Sequence, residues 1–130
     1  MTLREVLHAH IPTLTTESTV RDAVDKMDIY QFGALVVVDQ DSVPIGVLTE
    51  GDLCRIATTR NTLIEMSEEP AWVHASKDPT TAHPDTEIGE AFHQMLSSGL
   101  TLLPVVEERR LLGVVLRVDL MQAMFLDRHG

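Results

Sequence analysis

One block of sequence recurs in this chain, its parts in the same order, at a period of about 68 residues. Thr13-Leu14-Thr15-Thr16-Glu17-Ser18-Thr19-Val20 aligns with Thr81-Ala82-His83-Pro84-Asp85-Thr86-Glu87-Ile88. Ala23, Val24 and Met27 then align with Ala91, Phe92 and Met95. Leu35-Val36-Val37-Val38-Asp39 returns as Leu103-Pro104-Val105-Val106-Glu107, and Gly46-Val47-Leu48-Thr49-Glu50-Gly51-Asp52-Leu53 as Gly113-Val114-Val115-Leu116-Arg117-Val118-Asp119-Leu120. The spacing between the last two blocks is one residue shorter in the second copy. That difference falls in a turn, where length changes are tolerated. A fold that suits one copy must suit both.

Each copy carries the same punctuation. Ser18 and Thr86 are N-cap residue types ahead of helices predicted over 19–30 and 87–98. Val20, Ala23, Val24 and Met27 fall on one helical face, as do Ile88, Ala91, Phe92 and Met95. Two β-rich runs follow in each copy, Ala34–Val38 with Ile45–Leu48 and Leu102–Val106 with Leu112–Leu116. The separators, Asp39-Gln40-Asp41-Ser42-Val43-Pro44 and Glu107-Glu108-Arg109-Arg110, read as hairpin turns. Second helices are expected over 50–58 and 117–127. The unit is therefore β-α-β-β-α, and the fold class α+β. Strands apolar along their whole length should be covered by helices on one face and by the sister copy on the other.

This reading divides the chain into a first repeat at 1–60, a connecting segment at 61–76 and a second repeat at 77–130. The connector is mostly polar, with a break at Pro70 and one helical turn at Leu63-Ile64-Glu65-Met66. A unit below about 60 residues buries too little surface to be stable alone. The two repeats should pack sheet to sheet as one pseudo-symmetric module.

Composition narrows the function. Hydrophobic residues form 44% of the chain but only 4% are aromatic, so the interior is aliphatic. The net charge of −10 opposes nucleic acid, whose affinity comes largely from phosphate neutralisation. Cys54 is the single cysteine, which excludes an intramolecular disulfide. The start, Met1-Thr2-Leu3-Arg4-Glu5-Val6-Leu7-His8, lacks the pattern of a signal peptide, and the apolar run Ala34–Val38 is too short to span a bilayer. The expectation is a cytoplasmic protein with no membrane or nucleic-acid partner. The histidines (His8, His10, His74, His83, His93, His129) form no i, i+4 helical pair, so no metal site is expected. No nucleophile elbow, phosphate loop or zinc-protease helix is present, and the chain does not read as an enzyme.

With the doubled unit in view, three stretches carry a resemblance to the CBS-domain family in its paired arrangement, the Bateman module. Lys77-Asp78-Pro79-Thr80-Thr81-Ala82-His83-Pro84-Asp85-Thr86 resembles the family's leading strand, and Leu103-Pro104-Val105-Val106-Glu107 its Leu-Pro-Val-Val-Asp strand. Gly46-Val47-Leu48-Thr49-Glu50-Gly51-Asp52 fits its Gly-apolar-x-Thr/Ser-x-x-Asp signature. The resemblance implies a regulatory module sensing an adenine nucleotide (AMP, ADP or ATP) in the cleft between the repeats, with no prosthetic group. By that resemblance Asp52 holds the ribose hydroxyls, and Thr49 faces the phosphate beside a helix N-terminus. The adenine slot falls to Ile11, Pro12, Phe32, Gly33 and Ala34, with Val47 as its floor.

The second copy departs from the pattern. Gly113 and Asp119 remain, but Leu116 replaces the hydroxyl residue. Thr80, Thr101, Leu102 and Val114 take the places of Pro12, Gly33, Ala34 and Val47, and Arg117 that of Glu50. Arg117 offers positive charge toward a phosphate, while Leu102 narrows the slot. Thr49 with Asp52 also has the spacing of a helix capping box, and Arg55 the spacing to pair with Asp52. The resemblance further implies a homodimer formed through helices and an unidentified regulated protein. S-adenosylmethionine sensing, or an interaction and oligomerisation module with decayed ligand sites, are the alternative readings.

Overall fold

The computed structural model describes residues 1–126, and its elements follow the two copies. A 3₁₀ turn at Leu3–Glu5 precedes β1 (Thr13–Leu14), α1 (Val20–Tyr30), β2 (Ala34–Val38), β3 (Pro44–Thr49) and α2 (Glu50–Ala57). A short helix α3 (Leu63–Ser67), a second 3₁₀ turn at Ala71–His74 and β4 (Ser76–Lys77) come next. The second copy supplies α4 (Ile88–Ser97), β5 (Leu102–Glu107), β6 (Arg110–Leu116) and α5 (Arg117–Leu126). The order is the predicted one. Residue 127, expected to close the last helix, and His129 lie outside the described residues.

In space the chain forms two compact units that do not coincide with the contiguous stretches 1–60 and 77–130. Pro12–Pro79 make the first unit; Met1–Ile11 join the residues from Thr80 onward in the second. The first unit holds a sheet of order β1-β2-β3-β4, with β1 parallel to β2 and the other pairs antiparallel. Its core gathers Leu14, Val20, Ala23, Leu35, Val37, Leu48 and Leu53. Met66 and Ala71 belong to the same cluster, so the stretch expected to connect the repeats is built into this unit. Every residue of β2 is buried, as its unbroken apolar run requires.

The second unit repeats the plan with shorter edges. β5 and β6 pair antiparallel, and an isolated parallel bridge, Ala82 to Val105, stands where β1 meets β2 in the first unit. An antiparallel bridge, His8 to Val114, stands where β4 meets β3. Leu3, fully buried, packs with Ile88, Ala91, Met95, Leu103 and Val115. The segment preceding each copy in sequence thus completes the other copy's unit.

Two ion-pair clusters fasten these segments. In the first unit Arg60 donates to both oxygens of Glu69 at 2.8 Å, and His74 Nε2 lies 3.0 Å from Glu69 Oε1. Arg60, then His74, hold the Glu69 carboxyl down at about 2, well below the usual carboxylate range. In the second unit Arg4 donates to Glu107 at 2.8 Å and to Asp85 at 3.2 Å. The Arg4 hydrogen bond lowers the Glu107 carboxyl, and Glu107 and Asp85 in turn raise the guanidinium.

The helix starts differ from the expected caps by one residue. Thr19, not Ser18, caps α1, its Oγ1 accepting from Asp22 N at 3.1 Å while Asp22 accepts from Thr19 N at 2.9 Å. Ser18 instead closes the preceding turn by accepting from Thr15 N. At α4 the capping position is Glu87, with no side-chain cap, and Thr86 N donates to His83 O in the preceding turn. No described helix is long and apolar enough to cross a membrane.

Candidate functional site

Of the predicted residues, Thr49, Asp52, Arg117 and Asp119 lie where the last strand of each copy turns into its last helix. In the first unit β3 ends at Thr49 and α2 begins at Glu50. Thr49 Oγ1 accepts from Asp52 N at 3.1 Å, and Asp52 Oδ2 accepts from Thr49 N at 3.0 Å. This is a reciprocal capping box with Asp in the fourth place. Arg55 Nη2 donates to the other carboxylate oxygen, Oδ1, at 2.5 Å. The Asp52 side chain is 18% exposed and Arg55 74% exposed, so the guanidinium lies over the carboxylate from the solvent side. The spacings that suggested a cap and an ion pair are both realised. A ligand hydroxyl reaching Asp52 must share or displace Arg55.

The second unit shows what loss of the hydroxyl does. Asp119 Oδ2 accepts from Leu116 N at 2.8 Å, just as Asp52 accepts from Thr49 N. Leu116 has no oxygen to return the bond, and the box is half made. The side chain facing the carboxylate also differs. His8 Nε2 lies 2.8 Å from Asp119 Oδ2, bringing together residues 111 positions apart. Gln122 occupies the place of Arg55. His8 was not visible as a site residue in the sequence, because nothing local links it to Asp119.

The remaining predicted residues are distributed as follows. Gly33 O accepts from Glu50 N at 2.9 Å, tying the loop before β2 to the start of α2. Phe32 is half-buried against the first unit's core, Gly33 is exposed, and Ala34 is buried. Val47 is half-buried and pairs with Val36 and Ser76. Ile11 and Pro12 are half-buried at the point where the chain passes from one unit to the other. In the second unit Leu102 and Val114 are buried, whereas Thr80, Thr101 and Arg117 are exposed. Arg117 opens α5 and is available to an anion at that helix start.

A cavity of about 540 Å³ opens in the first unit between α1, α2 and the loop joining α1 to β2. Met27, Asp28, Phe32, Gly33, Glu50 and Cys54 are among its lining residues. It takes in Phe32 and Gly33 but not Ala34, Val47, Thr49 or Asp52. Its two carboxylates make it a poor place for a phosphate. Among the described residues no group of His, Cys, Asp and Glu is arranged to hold a metal ion.

The sequence pattern of the CBS domain matches residues 3–58 and again residues 66–126. The chain belongs to the CBS domain family. Both matches begin in the segments that cross between units, so a CBS repeat in sequence is not a compact unit in space. An uncharacterized 17.7 kDa protein of Acidianus ambivalens is 31% identical over 112 residues, covering 85% of this chain. This chain spans 65% of that relative's length. Two solved structures share the tandem CBS fold. A CBS-domain containing protein of Agrobacterium tumefaciens superposes at a TM-score of 0.84 with 20% identity, over 95% of this chain and 99% of that one. CBSX2, solved in complex with AMP, superposes at 0.83 with 19% identity, over 96% of each chain.

Proposed function

We propose that this tandem CBS module is a regulatory sensor of an adenine nucleotide (AMP, ADP or ATP). The reading is carried by the pair Thr49 and Asp52, which sets a hydroxyl and a carboxylate at the first turn of α2. Asp52 accepts hydrogen bonds from the vicinal hydroxyls of a ribose, as acidic residues do in dinucleotide folds. Thr49, at the start of α2, faces an anionic phosphate. Arg55, released from Asp52, adds charge on the solvent side. Phe32, Gly33, Ala34 and Val47, with Ile11 and Pro12, supply the apolar surface for adenine. That CBSX2, of the same fold, was solved in complex with AMP supports this reading.

The same elements of the second repeat, Thr80, Thr101, Leu102, Val114, Arg117 and Asp119, form a narrower site without the phosphate-side hydroxyl. Ligand binding regulates only if it favours one packing of the module over another. The regulated partner is a separate protein or a second copy. Exposed apolar side chains on the helices, Ile29 and Tyr30 on α1 and Phe125 and Leu126 on α5, support a homodimer. S-adenosylmethionine presents the same adenosine, and the acidic chain favours a less anionic ligand. The half-made box at Leu116 favours a second reading, an interaction module whose ligand sites have decayed.

A thermal-shift panel of AMP, ADP, ATP, NAD and S-adenosylmethionine separates these readings. Asp52→Asn keeps an oxygen for the cap but removes the charge. Stabilisation by one panel member, lost in Asp52→Asn, supports nucleotide sensing. No shift with any member at millimolar concentration sinks it in favour of the interaction module.

A further inference from the structure

The two repeats set different basic side chains against equivalent carboxylates. Asp52 meets Arg55, one turn along its own helix. Asp119 meets His8, delivered from the far end of the sequence. Arginine stays charged at every pH a protein tolerates, whereas histidine changes charge between about pH 5 and 8. We propose that His8 is a proton-operated latch over Asp119, so that ligand binding at the second repeat depends on pH while binding at the first does not. The proposal rests on the nucleotide-sensing reading above.

The latch is held by backbone, not by a mobile side chain alone. His8 N donates to Val114 O at 2.8 Å, and Val114 N donates to His8 O at 3.0 Å. Beside this pair, a Cβ on Gly113 would lie 2.4 Å from His8 O, so the close approach needs glycine there. The imidazole is thereby set against the carboxylate at 2.8 Å. At the matching register of the first unit Ser76 faces Val47, and a serine side chain ends too soon to imitate an imidazole. His8 is 43% exposed and Asp119 19% exposed, so water reaches the ring while the carboxylate is partly withdrawn.

The direction follows from hydrogen-bond strength. A charged N–H donor on a carboxylate is roughly twice as strong as a neutral one. With His8 protonated, ribose hydroxyls compete against an ion pair for Asp119; with His8 neutral, they compete against an ordinary hydrogen bond. Affinity at the second repeat therefore rises with pH. Other ionisable side chains stand on the described elements packed here. Arg4, Glu5 and His10 lie on the same segment, and Arg4 is committed to Asp85 and Glu107. Arg117 stands at the start of α5, Arg110 at the far end of β6, and α4 carries Glu90 and His93. His10 and His93 are the histidines on these elements apart from His8, and they serve as controls.

The test uses the full chain carrying Asp52→Asn, which silences the first site, and adenosine as probe because it has no phosphate to titrate. Calorimetric titration at about pH 5.5 and about pH 8 should show roughly three- to tenfold tighter binding at the higher pH. Adding His8→Gln should flatten that difference and raise the affinity at the lower pH; His10→Gln and His93→Gln should leave it intact. Adenosine should also perturb the His8 imidazole NMR signals, and Asp119→Asn should abolish that response. Binding that ignores pH, or a pH profile that survives His8→Gln, overturns the latch. Binding by the His8→Gln chain alone supports a shut latch. If the Asp119 site binds nothing in either chain while the unmodified protein binds through Asp52, the latch fails and the sensing reading stands. If no chain binds any nucleotide, the sensing reading itself has failed.

Discussion

Arg4 and Glu107 stand 103 positions apart in the chain and 2.8 Å apart in the fold. Their pairing marks how the opening segment is spent on the second repeat's unit, with Leu3 fully buried next to Arg4. Leu3→Ala should cost about 2–4 kcal/mol through lost burial and the cavity left behind. Arg4→Ala should cost less and lose its effect at high salt, because the pair is substantially exposed. Urea unfolding of both variants at low and high ionic strength checks the contrast.

The first unit has its own fastening, and it makes stability depend on pH. Glu69 is held by Arg60 and His74 at about 2, against 4.5 for an unperturbed glutamate. A carboxyl depressed in the folded state contributes stability that is fully present above its unfolded value and lost as pH falls through the folded one. Wild-type stability should therefore fall as pH drops from about 4.5 toward about 2. Glu69→Gln should be weaker at neutral pH and flatter across that window. Denaturation midpoints over the acid range measure both. A Glu69→Gln profile as steep as the wild type's would remove Glu69 as the cause.

Much of this arrangement was legible in the sequence. The repeat, the four long strands, the order of helices and the Thr49 to Asp52 spacing depend on local pattern, and each is found where that pattern puts it. The caps at Ser18 and Thr86 were misplaced by one because several hydroxyl and acidic residues crowd each helix start. The exchange of edge segments was not legible. His8 and Ser76–Lys77 pair over one or two residues, too short to show alternation, and their partners lie far away in sequence. The same holds for His8 with Asp119. No periodicity encodes a contact that only the closed sheet creates.

The hairpin joining β5 and β6 carries backbone strain that sequence choice can relieve. Glu108 and Arg109 have φ of 53° and 71°, the left-handed pair of a two-residue turn that favours Asn-Gly. Neither side chain is suited to that region. The double substitution Glu108→Asn with Arg109→Gly should stabilise the protein by about 1 kcal/mol. An unchanged or lower thermal midpoint would count against strain at this turn.

Gly46 and Gly113 occupy equivalent positions, and both let an edge segment approach the sheet closely. A Cβ on Gly46 would meet the far end of the Trp72 ring at 2.7 Å and Ser76 O at 2.9 Å. On Gly113 it would meet His8 O at 2.4 Å, a backbone atom that already accepts from Val114 N. At Gly46 the ring edge can tilt away and Ser76 O at 2.9 Å needs only a small shift, whereas His8 O at 2.4 Å cannot clear a Cβ without breaking the bridge. Gly46→Ala should therefore cost about 1–2 kcal/mol, and Gly113→Ala more, as overpacking penalties do when backbone must move. The second variant should also release the opening segment. Limited trypsin digestion should then cut after Arg4 faster in Gly113→Ala than in Gly46→Ala, since the guanidinium leaves Glu107 when the segment lifts. Equal cutting in the two variants would show that the His8 bridge does not hold the segment in place.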